Sequence, residues 1–320
     1  MIWVTWRLYR RPLLLGSGAL GVVALVGFLG GLWMDGDFNS SGLASCVAAQ
    51  DHEGRCASIA VAFAAQYQVL SNFVTTALVA LPLIAGMFIG APLLSQEFSS
   101  GTHRLAWTQS VSRYRWTASK LVLVGFVVLA AGVVLSLIGW WWQRPLDQLY
   151  GGSFAGFDEE GMTPIAYALF AFALGTAAGT VLRSPVLAMV VTLVGFVATR
   201  FAVAVLIRPY YIAPIEVSVD TSKLQGTTLV MGTRFNVNPG QAFAWAGDPR
   251  GNSGPGPTHN LSVAFNGDWR FNLDQSGPIL SYWVQPADRY LAFQAVESAL
   301  FIGLAAVLVG LTVWWVRKIS

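Results

Sequence analysis

The chain has 320 residues, of which 55% are hydrophobic and only 11% are charged, and its formal net charge is +3. Soluble domains carry about 25% charged residues, so this composition, with a mean hydropathy of +0.57, excludes an ordinary soluble enzyme or binding domain. A single polytopic membrane domain is expected, and the positions of the charges matter more than their sum.

The N-terminal segment, residues 1–11, places Trp3, Trp6 and Tyr9 among three arginines. Aromatic rings favour the headgroup zone and arginines favour anionic lipid, so a short interfacial helix is predicted before the first span. A membrane anchor is the simpler interpretation, and a helix that transmits motion is the alternative. The first span is too long for a cleaved signal peptide and lacks a small-residue cleavage site at its end.

Six apolar runs have the length of about 20 residues that a bilayer requires. They predict an all-α polytopic membrane protein with spans at 12–34, 70–94, 121–142, 163–182, 185–207 and 290–316. With the N-terminus inside, the inner segments hold ten Lys or Arg and one acid, whereas the outer segments hold eight Lys or Arg and fourteen acids. The positive-inside rule therefore predicts that both termini are cytoplasmic.

The two cysteines, Cys46 and Cys56, both fall in the first predicted outer segment. Thiols outside the cytoplasm can oxidise, so a disulfide is expected, and it would stabilise the loop by roughly 2–3 kcal/mol on the chain-entropy model. Two reduced, unrelated thiols are the alternative. A metal site is not expected, because His52 is the only imidazole nearby and no CxxC spacing occurs.

The segment between the second and third spans, residues 97–120, reads EFSSGTHRLAWTQSVSRYRWTASK. It is too polar for lipid, and its four basic residues indicate the cytoplasmic side. Turn signals at Gly101-Thr102 and Ser112-Arg113 predict an ordered turn and helix and not a slack tether. A membrane subunit needs such a segment if a separate soluble motor is to act on it.

Arg200 and Glu297 are charges inside the predicted fifth and sixth spans. Each lies about 10 Å below the outer surface at 1.5 Å rise per residue. Opposite charges at equal depth predict a buried pair, because an unpaired charge there would cost several kcal/mol. The pair would be either a static connection between two spans or part of a polar patch near the exit of a transport path.

The largest predicted outer segment is 208–289, which lies between the five spans of residues 1–207 and the sixth span of residues 290–320. Alternating apolar residues separated by Pro- and Gly-rich turns predict short strands there. An outer β-rich cap is expected, and a partly disordered loop is the alternative.

Signals of catalysis are almost absent. The three histidines are spread over different segments, and no HExxH motif, nucleophile elbow or Cys-His arrangement occurs. Because a Walker A motif is also missing, the chain is not expected to bind ATP, and neither a cofactor nor a metal is expected in it.

Several short motifs recur in a recognisable order. They are Gly90, Pro92, Glu97, Gly101-Thr102, Leu105-Ala106-Trp107-Thr108-Gln109, Ser112-Arg113 and Lys120, then Gln285-Pro286-Ala287-Asp288-Arg289 and a last span closing on Trp314-Trp315-Val316-Arg317. In these motifs the chain resembles the permease subunits of type-2 ABC transporters, most closely those of high-GC Gram-positive bacteria. The family usually has short helices in its last outer segment, so the predicted β-rich cap is a departure.

The resemblance implies an exporter of a hydrophobic or amphipathic compound, such as a drug, antibiotic, peptide or lipid, in the bacterial plasma membrane. Two permease copies, as a homodimer, would form the path, and two copies of an ABC ATPase subunit would hold ATP and Mg²⁺; no nucleic acid is involved. The residues expected to contact or orient the ATPase subunit are Glu97, Gly101, Thr102, Arg104, Trp107, Gln109, Arg113, Arg115 and Lys120.

Two other classes of protein fit parts of the sequence. A secondary transporter driven by an ion gradient would need intramembrane carboxylates, and Glu297 is the only one within the predicted spans. A membrane-anchored receptor would use the 208–289 segment, but it would not need six spans or a structured inner segment.

Overall fold

The computed structural model describes residues 2–49, 54–100, 112–150, 156–213, 215–220, 242–244, 261–263, 269–271, 279–286 and 289–318. Most of these residues are helical. The helices are α1 (Ile2–Ser40), α2 (Leu43–Ala48), α3 (Gly54–Ala85), α4 (Ala91–Ser100), α5 (Arg113–Tyr150), α6 (Thr163–Leu182), α7 (Pro185–Ala202) and α8 (Tyr290–Lys318). A π-helical turn, Gly86–Gly90, joins α3 to α4, and a second one, Val203–Ile207, follows α7 and leads into the 3₁₀ turn Arg208–Tyr210.

Six helical stretches are long and apolar enough to cross a membrane, and each overlaps one predicted span. They are Gly16–Ser40, Ser58–Ser100, Tyr114–Gln148, Thr163–Leu182, Pro185–Ile207 and Tyr290–Lys318. The predicted set of six spans is therefore confirmed for the described part of the chain. The orientation with both termini inside stays a prediction.

The first two long helices extend well beyond their predicted spans. The segment 35–69, read from the sequence as an outer loop, consists mostly of the end of α1, all of α2 and the start of α3. A helix exposed on one side needs only one apolar face, and Phe38, Leu43 and Phe63 provide it in one buried cluster. The two helices therefore continue past the predicted spans as a helical hairpin.

Helix α6 lies at the centre of the bundle and packs against α3, α4, α5, α7 and α8. It is rich in Ala, Gly and Thr, and small side chains let neighbouring helices approach closely. Pro164 lies in its first turn, Arg183 ends it in the left-handed conformation (φ 53°), and Pro185 starts α7. This short connection makes α6 and α7 neighbours with opposite directions.

The π-helical turn after α3 packs very closely against α6. A Cβ atom on Gly90 would lie 2.8 Å from the Phe172 carbonyl oxygen, and one on Gly175 would overlap the Gly86 carbonyl oxygen. Only glycine fits at such a crossing. The π-helical turn itself has a local cause, since Pro92 has no N–H for the carbonyl four residues earlier and its ring crowds that carbonyl.

Five strands are described between α7 and α8: β1 (Ile215–Asp220), β2 (Ala242–Ala244), β3 (Leu261–Val263), β4 (Trp269–Phe271) and β5 (Ile279–Pro286). Strand β5 pairs antiparallel with β1 on one side and β2 on the other, with Ile215 opposite Val284 and Ala242 opposite Pro286. Strands β3 and β4 form a separate antiparallel pair. That this segment makes a cap outside the membrane stays a prediction.

The helix bundle has two ends. We call one the loop end, where α4 and α6 finish, α5 and α7 begin, and α8 finishes; there Arg317 stacks over the ring of Tyr114, 4.9 Å from its centroid. We call the other the cluster end, where α5 and α7 finish and α6 and α8 begin. The turn before α6, residues 156–162, lies at the cluster end.

Candidate functional site

Arg208 is the centre of a group of charges at the cluster end. Its Nε and Nη2 donate to the two carboxylate oxygens of Glu297 at 2.8 and 2.7 Å, and Nη2 also donates to Asp158 Oδ1 at 2.7 Å. Glu297, on α8, is only 1% exposed, so this two-point contact supplies the opposite charge that a buried carboxylate requires. The turn after α7 is thereby tied to α8.

Arg200, on α7, lies on the other side of Asp158, with its Nη2 2.9 Å from Asp158 Oδ2. Its guanidinium stacks over the ring of Tyr167 on α6, 4.1 Å from the centroid. The Tyr167 hydroxyl lies 2.9 Å from Asp158 Oδ1 and 2.6 Å from Glu297 Oε1. Two arginines therefore balance two carboxylates around one tyrosine, and we call Asp158, Tyr167, Arg200, Arg208 and Glu297 the charge cluster.

The structure gives Arg200 and Glu297 other partners than the sequence predicts. Arg200 binds Asp158, and Glu297 binds Arg208. Asp158 and Arg208 lie just outside the predicted spans. A comparison of depths within the spans, which paired Arg200 with Glu297, therefore could not identify them. An arginine side chain is long enough to reach back from the turn after α7 to the last span. The two predicted residues thus share one cluster without forming the predicted pair.

Gln294, on α8, connects the turn before α6 to the last span. Its Nε2 donates to the carbonyl oxygens of Phe157 and Glu160 at 2.8 and 3.2 Å. Its Oε1 accepts from the backbone N–H groups of Met162 and Thr163 at 2.9 and 3.2 Å. These are N–H groups that the first turn of a helix leaves without a partner, so one buried amide fixes the start of α6 against α8.

Neighbouring carboxyl groups in the turn before α6 have pKa values shifted in opposite directions. Burial by itself raises the pKa of Asp158, but Arg208 and Arg200 outweigh it and hold that pKa below its ordinary value. For Glu159, burial raises the pKa to about 8, although Gln143, whose Nε2 donates to Glu159 at 2.7 Å, acts to lower it. Asp158 is therefore ionised at neutral pH, whereas Glu159 gains or loses its proton close to neutral pH.

The loop end holds a buried ion pair between Lys120 of α5 and Glu97 of α4. Lys120 Nζ lies 4.2 Å from the ring centroid of Trp116, and Trp116 packs edge-to-face against Phe98, with ring centroids 6.4 Å apart. We call Glu97, Phe98, Trp116 and Lys120 the loop base. It holds the end of α4 and the start of α5 next to each other.

The loop base is continuous with the packing around α6. Phe98 and Trp116 belong to a buried apolar cluster that also contains Phe172 of α6 and Val316 of α8. Five residues before Phe172 on the same helix is Tyr167, a member of the charge cluster. Helix α6 therefore contacts both the loop base and the charge cluster.

The residues predicted to contact an ATPase subunit fall into three groups. Glu97 and Lys120 belong to the loop base, Arg113 begins α5, and Arg115 is exposed in the first turn of α5. The others lie outside the described residues: Gly101, Thr102, Arg104, Trp107 and Gln109.

Cys46 and Cys56 form the predicted disulfide, with their Cα atoms 5.8 Å apart. The bridge joins α2 to the start of α3 and so closes the helical hairpin at the cluster end. Within the described part of the chain, no group of three or more His, Cys, Asp and Glu side chains could hold a metal ion.

The six apolar helices, with the described ion pairs located at the two ends of the bundle, make this a multi-pass membrane protein. Residues 17–208, more than half of the chain, match the family described as ABC-2 membrane transporter related. The chain belongs to this family, which supports the predicted type-2 ABC permease. No curated protein and no solved structure matches the chain. The closer resemblance to permeases of high-GC Gram-positive bacteria stays a prediction.

Sequence reasoning missed three residues of the charge cluster: Asp158, Tyr167 and Arg208. A signal existed for two of them, because Arg208 directly follows the fifth predicted span and Asp158 lies close before the fourth. Charged residues at span ends are candidate partners for charges inside neighbouring spans. Tyr167 offered no signal, since a tyrosine near a span end is common in membrane proteins.

Proposed function

We propose that this chain is the membrane-spanning permease subunit of an ATP-driven exporter, and that a separate ABC ATPase subunit docks on the 95–120 segment. Membership of the ABC-2 family supports the proposal, because permeases of this type work with an ATPase subunit. The observation that carries it is the buried Glu97–Lys120 pair, which anchors a basic segment to the helix bundle at both of its ends.

The loop base explains how movement of an ATPase subunit would reach the membrane. A flexible tether would absorb such movement, whereas a segment held at a buried ion pair passes it to α4 and α5. Helix α4 and the π-helical turn before it pack on α6 at the glycine crossing of Gly90 and Gly175. A displacement of α4 would therefore displace α6, and with it Tyr167 in the charge cluster.

The charge cluster is suited to the role of an outer gate. It joins α6, α7, α8 and the turn before α6, and its two positive and two negative groups balance. While the cluster is closed, each charge has an opposite charge in contact. If the gate opens, water enters and solvates the separated charges, so the open state does not leave them bare in a low dielectric.

The remaining parts of the proposal follow from the family resemblance. Two copies of this chain form a homodimer, and two ATPase subunits hold ATP and Mg²⁺ on the cytoplasmic side of a bacterial plasma membrane. Both termini of the permease lie inside. The cargo is hydrophobic or amphipathic, because the exposed faces of the spans are built from Val, Leu, Phe and Trp side chains.

An ion-gradient mechanism fits the charge cluster less well. A coupling carboxylate has to release and bind its ion in each cycle. Glu297, the intramembrane acid that such a transporter would use, accepts hydrogen bonds from Arg208 through both oxygens and is also 2.6 Å from the Tyr167 hydroxyl. A carboxylate with both oxygens occupied in this way is poorly placed to bind and release an ion in each cycle.

The test is transport by the permease reconstituted in liposomes with its ATPase subunit. The double change Arg113→Glu with Arg115→Glu should leave the permease folded but should reduce ATPase binding and ATP-dependent transport at least about tenfold, because it places negative charge on the docking surface. Arg55→Glu is the matched control, since Arg55 is exposed at the opposite end of the bundle. Undiminished transport by the double variant, or an equal loss in the control, would contradict the docking site.

A further inference from the structure

The helical hairpin of α1 and α3 contains an open groove of about 540 Å³ at the cluster end. Its size is within the range of about 300–1,000 Å³ that is usual for small-molecule sites. Apolar side chains of Leu32, Trp33 and Leu70 line one part of it, and Asp37 with Tyr67 lines the other. The described lining of the groove therefore combines an apolar surface with one carboxylate, that of Asp37.

Asp37 is held in position through one of its two oxygens. Its Oδ2 accepts from the Tyr67 hydroxyl at 2.6 Å and from Gln66 Nε2 at 2.9 Å. Neither of these donors is a cation, and none of the groove-lining residues that the structure describes is basic. Within the described lining, the carboxylate therefore faces the groove without a cationic partner, while two hydrogen bonds fix its direction.

Two further features leave space and a binding surface beside this carboxylate. Gly36 forms part of the groove wall, and a Cβ atom added to it would meet no atom within 4 Å. The Trp33 side chain is 68% exposed, and an indole face attracts cations as well as apolar rings. The groove can hold a flat apolar body against Trp33 with a positive group near Asp37.

We propose that this groove binds an amphipathic organic cation, with the positive group on Asp37 and the apolar body against Trp33, Leu32 and Leu70. The proposal rests on the proposed function, because it names the class of cargo that the exporter takes up or releases at this end. A lipid with an ammonium headgroup has the same chemistry. The experiment distinguishes a transported organic cation from such a lipid.

The test is direct binding of rhodamine 6G, a planar cationic dye, to the full-length permease in uncharged detergent, followed by fluorescence anisotropy. No ATPase subunit is needed, so failure of dye binding is distinguishable from failure of ATP-driven transport. Rhodamine B, which has the same ring system but is zwitterionic at neutral pH, is the matched ligand and should bind at least about tenfold more weakly.

Two pairs of variants decide whether the groove is the site. Asp37→Asn should weaken rhodamine 6G binding about tenfold or more, whereas Asp35→Asn, at an exposed acid outside the groove, should not. Gly36→Leu should fill the groove and abolish binding without loss of stability, because the added side chain meets open space. Gly21→Leu is its control, since Gly21 is also open and lies about 22 Å away along α1.

Three results would overturn the proposal: no saturable binding by the wild type, full affinity in Gly36→Leu, or equal losses in Asp37→Asn and Asp35→Asn. Gly36→Leu keeps the test valid if Asp37→Asn lowers stability through Tyr67.

Added phosphatidylethanolamine supplies the last comparison. Unchanged dye affinity supports a cargo site, and displacement of the dye at low lipid ratios would assign the groove to a lipid headgroup and overturn the cargo assignment.

Discussion

Both ends of the helix bundle bury charged side chains, but they differ in how many elements those charges connect. At the cluster end, Arg208 binds Asp158 and Glu297 together, and Arg200 makes a second contact with Asp158. At the loop end, the ion pair between Glu97 and Lys120 joins α4 and α5. The charges described at the cluster end therefore form a shared network, whereas the ion pair described at the loop end lies between two helices and beside an aromatic ring.

This difference bears on how the protein would move. A network in which four groups share partners separates cooperatively, because breaking one contact weakens the next. A single pair can shift with its two helices while remaining intact. A movement imposed at the loop end would thus be transmitted gradually to the helices, whereas the cluster end would switch between two discrete arrangements.

Removal of Arg208 should have the largest effect. Arg208→Ala leaves Glu297, which is 1% exposed, without its opposite charge, and should lower the free energy of unfolding by about 3–5 kcal/mol. Arg200→Ala should lower the free energy of unfolding by only about 1 kcal/mol, because Asp158 keeps its contact with Arg208. Thermal melts of the purified variants in detergent measure both effects.

A double-mutant cycle sharpens this comparison. Arg208→Met combined with Glu297→Leu should recover much of the lost stability, since both buried charges are removed together. The same cycle on Arg200 and Glu297 should show little coupling, because these residues have different partners in the structure. Strong coupling between Arg200 and Glu297 would favour the pair predicted from the sequence over the network.

At the loop end, Lys120→Ala should lower stability by about 2–3 kcal/mol, because Glu97 loses its charged donor. The apolar double variant Lys120→Met with Glu97→Leu should regain stability but not ATP-coupled transport, if the ion pair is what transmits movement. Melting temperature and transport are measured on the same preparations. Recovery of both properties in the double variant would show that the pair is structural only.

A substitution at the glycine crossing tests the contact between the two ends of the bundle. It should lower the free energy of unfolding by about 1–3 kcal/mol. Gly175→Ala places a methyl group against the Gly86 carbonyl oxygen, which belongs to the backbone and cannot move aside independently. Gly303→Ala is the control, because its added Cβ meets nothing within 4 Å, and it should be neutral or slightly stabilising. Equal melting temperatures for the two variants would show that α6 does not pack as tightly as described.

The disulfide and the charge cluster show what kind of contact a sequence reveals. Cys46 and Cys56 were predictable because they are the only two cysteines and share one predicted segment. The partners of Arg200 and Glu297 were not, because several charges lie near the span ends and the choice among them depends on helix rotation. Depth along a helix can be counted from the sequence, whereas the direction in which a side chain points around the bundle cannot.

The sequence by itself determined the number of spans, the helical class and the polar character of the segment after α4, because each depends on local hydropathy over about 20 residues. Only the tertiary structure decided that α6 is the central helix, that Arg208 lies between Asp158 and Glu297, and that Lys120 is buried on Glu97. The groove beside Asp37 also depends on how α1 and α3 pack. These features require residues far apart in the chain to meet, and local hydropathy carries no information about which helices become neighbours.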